Sequence, residues 1–212
     1  MKIIFGTTNK RKISDLLNII NSNQLDIEVL TLSDIGWNLG DIDENGSTLE
    51  ENSLIKAKAI YKFCQNNNIN YPILTDDSGL FVEVLNGEPG IYTARYADEE
   101  LRQNPLLPKY ECVNKLLRNM CNKKNRNAYY KCVVTVIFSD ATYFQEVGLS
   151  NGQINDKIIE PIDKPYFYSV FKLDNYNKTF NLLDEEELKN TYRYQALLNA
   201  VKKIDKQKKY IK

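Results

Sequence analysis

Asp76 and Asp77 stand side by side in Leu74-Thr75-Asp76-Asp77-Ser78-Gly79-Leu80, between two apolar runs. Adjacent carboxylates repel, and burying either one without a partner is costly. The pair therefore lies on a solvated turn or faces something cationic. If the chain stays extended, the two side chains leave on opposite sides. One can then point into a cleft while the other hydrogen-bonds the turn. Two earlier stretches offer compensating charge. Thr7-Thr8-Asn9-Lys10-Arg11-Lys12 combines hydroxyls, backbone N–H groups and a helix N-terminus, which suits an anion, and Lys12 adds charge one turn in. Taken alone it reads first as a capped helix with exposed lysines. It is not a P-loop, because G-x-x-x-x-G-K-[ST] is missing.

The second stretch runs from Asp43 to Lys58. Thr48 with Glu51, or Ser47 with Glu50, fits a capping box. That accounts for one glutamate, but not for Glu44 and Glu51 together with Asn52 and Lys56, the last two spaced i,i+4 on one helix face. Mg²⁺ takes one or two carboxylates and completes its shell with phosphate and water. A triphosphate beside Lys12 and Lys56, with Mg²⁺ on Asp77 and on Glu44 or Glu51, would balance all these charges if the three segments converge.

Composition narrows the chemistry. The 212 residues hold 28 basic and 28 acidic side chains and no histidine. A zero net charge gives no global field toward nucleic acid or an anionic membrane. The Lys-rich end, Lys202 to Lys212, reads as a solvated helix face that frays into a tail. Without histidine there is no Ser-His or Cys-His pair and no His-ligated zinc. Carboxylates, Lys, Arg, Tyr and a hard metal ion must do any catalytic work. Cys64, Cys112, Cys121 and Cys132 are scattered without metal-ligand spacing, and no apolar run nears the ~20 residues of a membrane span. A reduced, cytoplasmic protein is expected.

The elements that must position these residues follow from periodicity. Lys2 to Phe5 is a strand ending at Gly6, and Ile13, Leu16, Leu17 and Ile20 mark a helix. Asp26 to Leu32 reads as a second strand, Asp41 to Gly46 as an acidic loop, and Ser47 or Thr48 caps a helix reaching Asn66. Ile73 to Thr75 is a third strand that ends at the acid pair, and Leu80 to Leu85 continues as strand or turn before a tight turn at Gly87, Pro89 and Gly90. Leu106 to Met120 reads as helix. Tyr129 to Phe138 and Thr142 to Leu149 form a hairpin around Ser139-Asp140-Ala141. Ile158 to Phe171 is irregular and aromatic, and Asp184 to Ile204 is a final helix or helix pair. The order predicts one α/β domain over 1–212 with a central mixed sheet, flanking helices and two lobes.

Three motifs, TTNxxK, E-x-G-x-T-x-x-E-N-x-x-x-K-A and DDSGLxVxxLxGxPGxYxARYA, resemble the Ham1/inosine triphosphatase-like family. The third runs for over twenty residues from Asp76. The resemblance implies an elongated two-lobed α/β fold, a homodimer, and Mg²⁺-dependent cleavage of a nucleoside triphosphate between its α- and β-phosphates, on deaminated purine nucleotides such as ITP, XTP and dITP. It places phosphate binding on Thr7, Thr8, Asn9, Lys12 and Lys56, makes Asp77 the residue that holds metal and activates water with Ser78 beside it, and sets Glu44, or its neighbour Asp43, and Glu51 at the metal. The second half departs from the family pattern. Where the family has GFGYDPxF for the base, this chain reads from Lys164 through Pro165, Tyr166, Phe167, Tyr168 and Ser169 to Phe171, without the acid. Where the family has KNxxSHRxxAL, Arg193 is kept, Tyr192 replaces the histidine, and Lys189 stands two residues too close to Arg193 unless there is a deletion. Phe167, Tyr168, Lys189, Tyr192 and Arg193 are thus the expected substrate contacts. The alternatives are the same chemistry on another nucleotide, or a degenerate nucleotide-binding protein.

Overall fold

Short apolar strands alternating with amphipathic helices build a mixed sheet with helices against it, in a computed structural model that describes residues 1–40, 42–163 and 165–207. The strands are β1 (Lys2–Phe5), β2 (Glu28–Thr31), β3 (Ile73–Val82), β4 (Pro89–Gly90), β5 (Asn127–Ile137), β6 (Tyr143–Ile154) and β7 (Phe171–Leu173). The helices are α1 (Lys10–Ser22), α2 (Leu49–Asn66), α3 (Asp98–Gln103), α4 (Glu111–Asn119), α5 (Glu185–Leu188) and α6 (Tyr192–Gln207). Strand order is β2-β1-β3-β5-β6-β7, with β4 paired to β3.

The chain divides into two compact units. The first takes Met1–Asp77, Cys132–Gly148 and the chain from Tyr192 onward. Here β1 lies parallel to β2 and to β3, with Ile4 opposite both Leu30 and Ile73. A core of Ile4, Leu32, Ile60, Cys64 and Ile73 sits under α2, and α1 packs on α6. The second unit takes Ser78–Lys131 and Leu149–Thr191. Leu80 pairs with Gly90, and a side chain at Gly79 would put its Cβ 2.4 Å from the Gly90 carbonyl oxygen, so only glycine fits that crossing. β7 runs antiparallel to the end of β6, and Tyr130, Tyr168, Phe171 and Phe180 form an aromatic core.

Several expectations are corrected. The third strand does not end at the acids. It runs through Asp76 and Asp77 to Val82, because the Asp76 charge is met by cations rather than by a turn. Helix α4 starts at Glu111, not at Leu106; Pro108 disfavours a helical conformation at Leu107 and lacks the N–H a longer helix would need. The acidic segment of α3 is a helix the periodicity did not show. β6 continues five residues beyond Leu149, and the final segment is the helix pair α5 and α6. Helix α6 exposes Lys202 and Lys203. The rest of the expected tail, 208–212, lies outside the described residues, as do Asp41 of the acidic loop and Lys164 of the aromatic stretch.

Candidate active site

Helix α1 begins where the sequence places a cap. The Asn9 Oδ1 accepts from the Arg11 and Lys12 N–H groups at 3.0 and 3.4 Å, and the Thr7 Oγ1 accepts from the Asn9 N–H at 3.2 Å. This fixes Lys12 in the first turn. Asp15 follows three residues on, so both side chains share a helix face, while Leu16, Ile19 and Ile20 turn into the core.

Strand β3 separates its two acids as extended geometry requires. Asp77 is half-buried. Asp76 is 1% exposed, and its Oδ2 takes two cations at once: Lys12 Nζ at 3.0 Å and Arg193 Nη1 at 2.5 Å. Lys56 Nζ donates to the Asp76 carbonyl oxygen at 3.2 Å. The Asp76 Oδ1 is buried without a hydrogen-bond partner. Burial alone would raise the Asp76 carboxyl, but Arg193, Lys12 and Lys56 outweigh it and hold the acid well below the usual carboxylate range. Arg193 is 9% exposed, and its Nε lies 3.4 Å from Asp15 Oδ2. Burial would lower the guanidinium, but the charge of Asp76 raises it further. Asp15 is raised by burial, against the pull of Arg193.

The acidic loop is stapled to α2 by three side chains in succession. Glu51 Oε2 accepts from the Ser47 N–H and Oγ, both at 2.7 Å. Asn52 Oδ1 accepts from the Gly46 N–H at 2.8 Å, and Lys56 Nζ pairs with Glu44 Oε1 at 3.0 Å. Thr48 Oγ1 accepts from the Glu51 N–H at 3.1 Å, so Glu51 reaches one residue further back than a capping box would take it. The Ser47 hydrogen bonds lower the Glu51 carboxyl. This explains the spacing of Glu44, Glu51, Asn52 and Lys56: each holds one point of the loop. Below it, Thr75 Oγ1 donates to the Ser53 carbonyl at 2.8 Å, Thr135 Oγ1 donates to Ser53 Oγ at 2.8 Å, and Gln145 Nε2 donates to Thr135 Oγ1 and to the Glu50 carbonyl, both at 2.9 Å. This buried chain ties α2 to β3 and to the first-unit parts of β5 and β6.

The structure thus gathers Lys12, Lys56 and Arg193 around Asp76, with Thr7 and Asn9 engaged at the start of α1 and Thr8 exposed beside them. Sequence reasoning singled out Asp77 and left Asp76 and Asp15 unassigned. The i,i+3 spacing of Asp15 from Lys12 was the available signal. Glu44, Glu51 and Asp77 do not form a dedicated cage: among the described residues no three Asp, Glu, Cys or His side chains come together as a metal cluster. Tyr192 is buried at the first turn of α6. Ser78, Phe167, Tyr168 and Lys189 belong to the second unit. Phe167 and Tyr168 are buried there. Tyr168 stacks on Phe180 at 4.0 Å and meets the edge of Tyr130 at 5.5 Å, and Lys189 Nζ bonds Glu186 at 2.5 Å.

Comparison with known proteins adds a second line. A family model described as Ham1 family matches residues 3–203. A Flavobacterium johnsoniae protein named dITP/XTP pyrophosphatase is 34% identical over 192 residues, 90% of each chain. One of the same name from Borreliella burgdorferi is 36% identical over 201 residues, 94% of each chain. The solved structure of the Staphylococcus aureus Ham1 protein superposes with a TM-score of 0.79 at 29% identity, covering 98% of this chain and 100% of that one. A Coxiella burnetii HAM1 protein gives the same TM-score, 0.79, at 22% identity over 96% of this chain and 98% of its own, a likeness of fold.

Proposed function

This chain belongs to the Ham1 family, and from that premise we propose that it is a nucleoside triphosphate pyrophosphatase, converting an NTP or dNTP to the monophosphate and pyrophosphate. The observation that carries the reading is the concentration of Lys12, Lys56 and Arg193 at Asp76, immediately before the half-buried Asp77. Lys12 and Lys56, from two different helices, would bind anionic phosphate, and the start of α1 adds its own positive end. The water oxygen forms a bond to the α-phosphorus, its proton passes to the Asp77 carboxylate, and the bond to the bridging oxygen breaks with its electron pair leaving on pyrophosphate. Lys12 and Lys56 stabilise the charge that develops on that leaving group.

Mg²⁺ suits the residues present. Asp77, Glu44 and Glu51 offer only oxygen, which fits a hard cation and not zinc. When bound, the ion neutralises phosphate charge.

The relatives named dITP/XTP pyrophosphatase support dITP and XTP as substrates, and ITP shares the base of dITP. The burial of Phe167 and Tyr168, and Tyr192 in place of histidine, favour a second reading in which the chemistry is kept and base choice is relaxed. Pyrophosphate release from ITP, XTP, GTP, ATP and a pyrimidine triphosphate, with and without Mg²⁺, tests both. We expect Mg²⁺-dependent release. A preference of ~100-fold or more for ITP or XTP supports the first reading and near-equal rates the second. Nucleotide binding without any release would make the chain a degenerate binder.

A further inference from the structure

Asp15 has no part in the chemistry proposed above, yet its place is particular. It lies on α1 one turn beyond Lys12, with its side chain 38% exposed, and its carboxylate faces the Nε edge of the buried Arg193. The same guanidinium reaches Asp76 through Nη1, while its Nε and Nη2 are both buried without a hydrogen-bond partner, so Asp15 acts on Nε as a charge 3.4 Å away and not as a hydrogen-bond acceptor. A guanidinium is a rigid planar fork, and its preferred match to a carboxylate is two parallel bonds. Asp76 has the oxygen for that match, since its Oδ1 carries no hydrogen bond. The two-pronged arrangement is nevertheless not the one adopted. Arg193 meets Asp76 at a single point, on Oδ2, and Lys12 shares that oxygen.

We infer that Asp15 is a positioning residue. Through the attraction of its charge for the Nε edge of Arg193, it keeps the guanidinium from closing as a fork on Asp76, and so leaves Asp76 Oδ2 to hold Lys12 in place for phosphate. Without that hold, Arg193 rotates to engage both Asp76 oxygens and Lys12 loses its anchor. This rests on the phosphate-binding reading of the site. It also makes a prediction opposite in sign to simple electrostatics. Removing a negative charge beside a cationic site should tighten an anion. Removing a positioning residue should loosen it.

The test uses the full chain and inorganic pyrophosphate as probe, followed by calorimetry with and without Mg²⁺. Asp15→Asn, of equal size but without charge, should weaken pyrophosphate binding by about tenfold and raise the triphosphate KM similarly, with kcat changed less than about threefold. Asp15→Glu, which restores the carboxylate, should recover most of the loss. In a Lys12→Ala background Asp15→Asn should have no further effect, since both act through the same lysine. Asp15→Ser provides a second route should Asp15→Asn fold poorly and should weaken pyrophosphate to a similar degree; Arg193→Lys keeps the charge but cannot close as a fork, so in that background Asp15→Asn should change pyrophosphate binding by less than about threefold. Unchanged or tighter binding in folded Asp15→Asn overturns the inference, as does a full additional loss in the Lys12→Ala background. A wild-type chain that binds pyrophosphate but releases none from any triphosphate overturns the proposed activity while the affinities still judge Asp15. A chain that binds no pyrophosphate at all overturns both.

Discussion

One oxygen of Asp76 holds two cations inside the protein, and such an arrangement is stable only while all partners are charged. Because the folded carboxyl lies below its unfolded value, Asp76 contributes stability that is fully present above about pH 4 and is lost as pH falls toward the folded value. Asp76→Asn should cost about 3–5 kcal/mol near neutral pH, as for any broken buried pair. In urea melts the gap between variant and wild type should narrow below about pH 4; a gap independent of pH would refute the charge argument. Asp77 is a different case. It is half-buried and lies outside that pair, and Asp77→Asn should leave the chain folded and lower turnover by ~100-fold or more. Near-normal pyrophosphate release from the folded variant would remove Asp77 from the proton-accepting role. Lys12→Ala and Lys56→Ala should weaken a triphosphate far more than its nucleoside, because the term lost is charge on phosphate.

Between elements, spacing is set by close approaches that no side chain could survive. A Cβ on Gly148 would lie 1.8 Å from the Tyr192 carbonyl oxygen, so β6 touches the first turn of α6 backbone to backbone. Arg193 is the next residue. Gly148→Ala should therefore destabilise by about 1–3 kcal/mol and also weaken pyrophosphate binding, because α6 must retreat and carry Arg193 from Asp76. Loss of stability with binding intact would show that α6 does not set the site. The elements that sequence shows best are those whose signals are local. The Thr48 cap, the Asn9 start of α1 and the β-rich run of β5 all depend on neighbours within a turn or a few residues. The course of β3 through two acids is not local: it depends on Arg193, 117 positions away, and no pattern within Leu74 to Leu80 contains it. Motif spacing did expose Lys12, Lys56, Glu44 and Glu51. It could not show that Asp76, rather than its neighbour, is the acid the cations surround, since extended geometry gives two opposite faces without saying which is inside.

For the molecule as a whole, family membership leads us to expect a homodimer, and light scattering on the purified chain should give twice the chain mass. The thiols offer a simpler check on global packing. Burial pushes Cys64 and Cys112 up to about 11 and Cys132 up to about 12, whereas Cys121 is exposed. A thiol reagent at neutral pH should react quickly with one cysteine in the native protein and with all four after denaturation. Rapid reaction of a second thiol would mean that a unit opens readily. The interleaving of the chain also bears on synthesis. The first unit draws on three separated segments, and Arg193 leaves the ribosome long after Lys12 and Asp76. Until it does, Asp76 has only the lysines to offset its burial, so the nascent chain cannot lock that unit, and final closure must wait for a contact of very long sequence separation. A product cut short before α6 would carry every early motif of the sequence and still be unable to bury its own charge, which would leave it open to proteolysis as an incomplete copy.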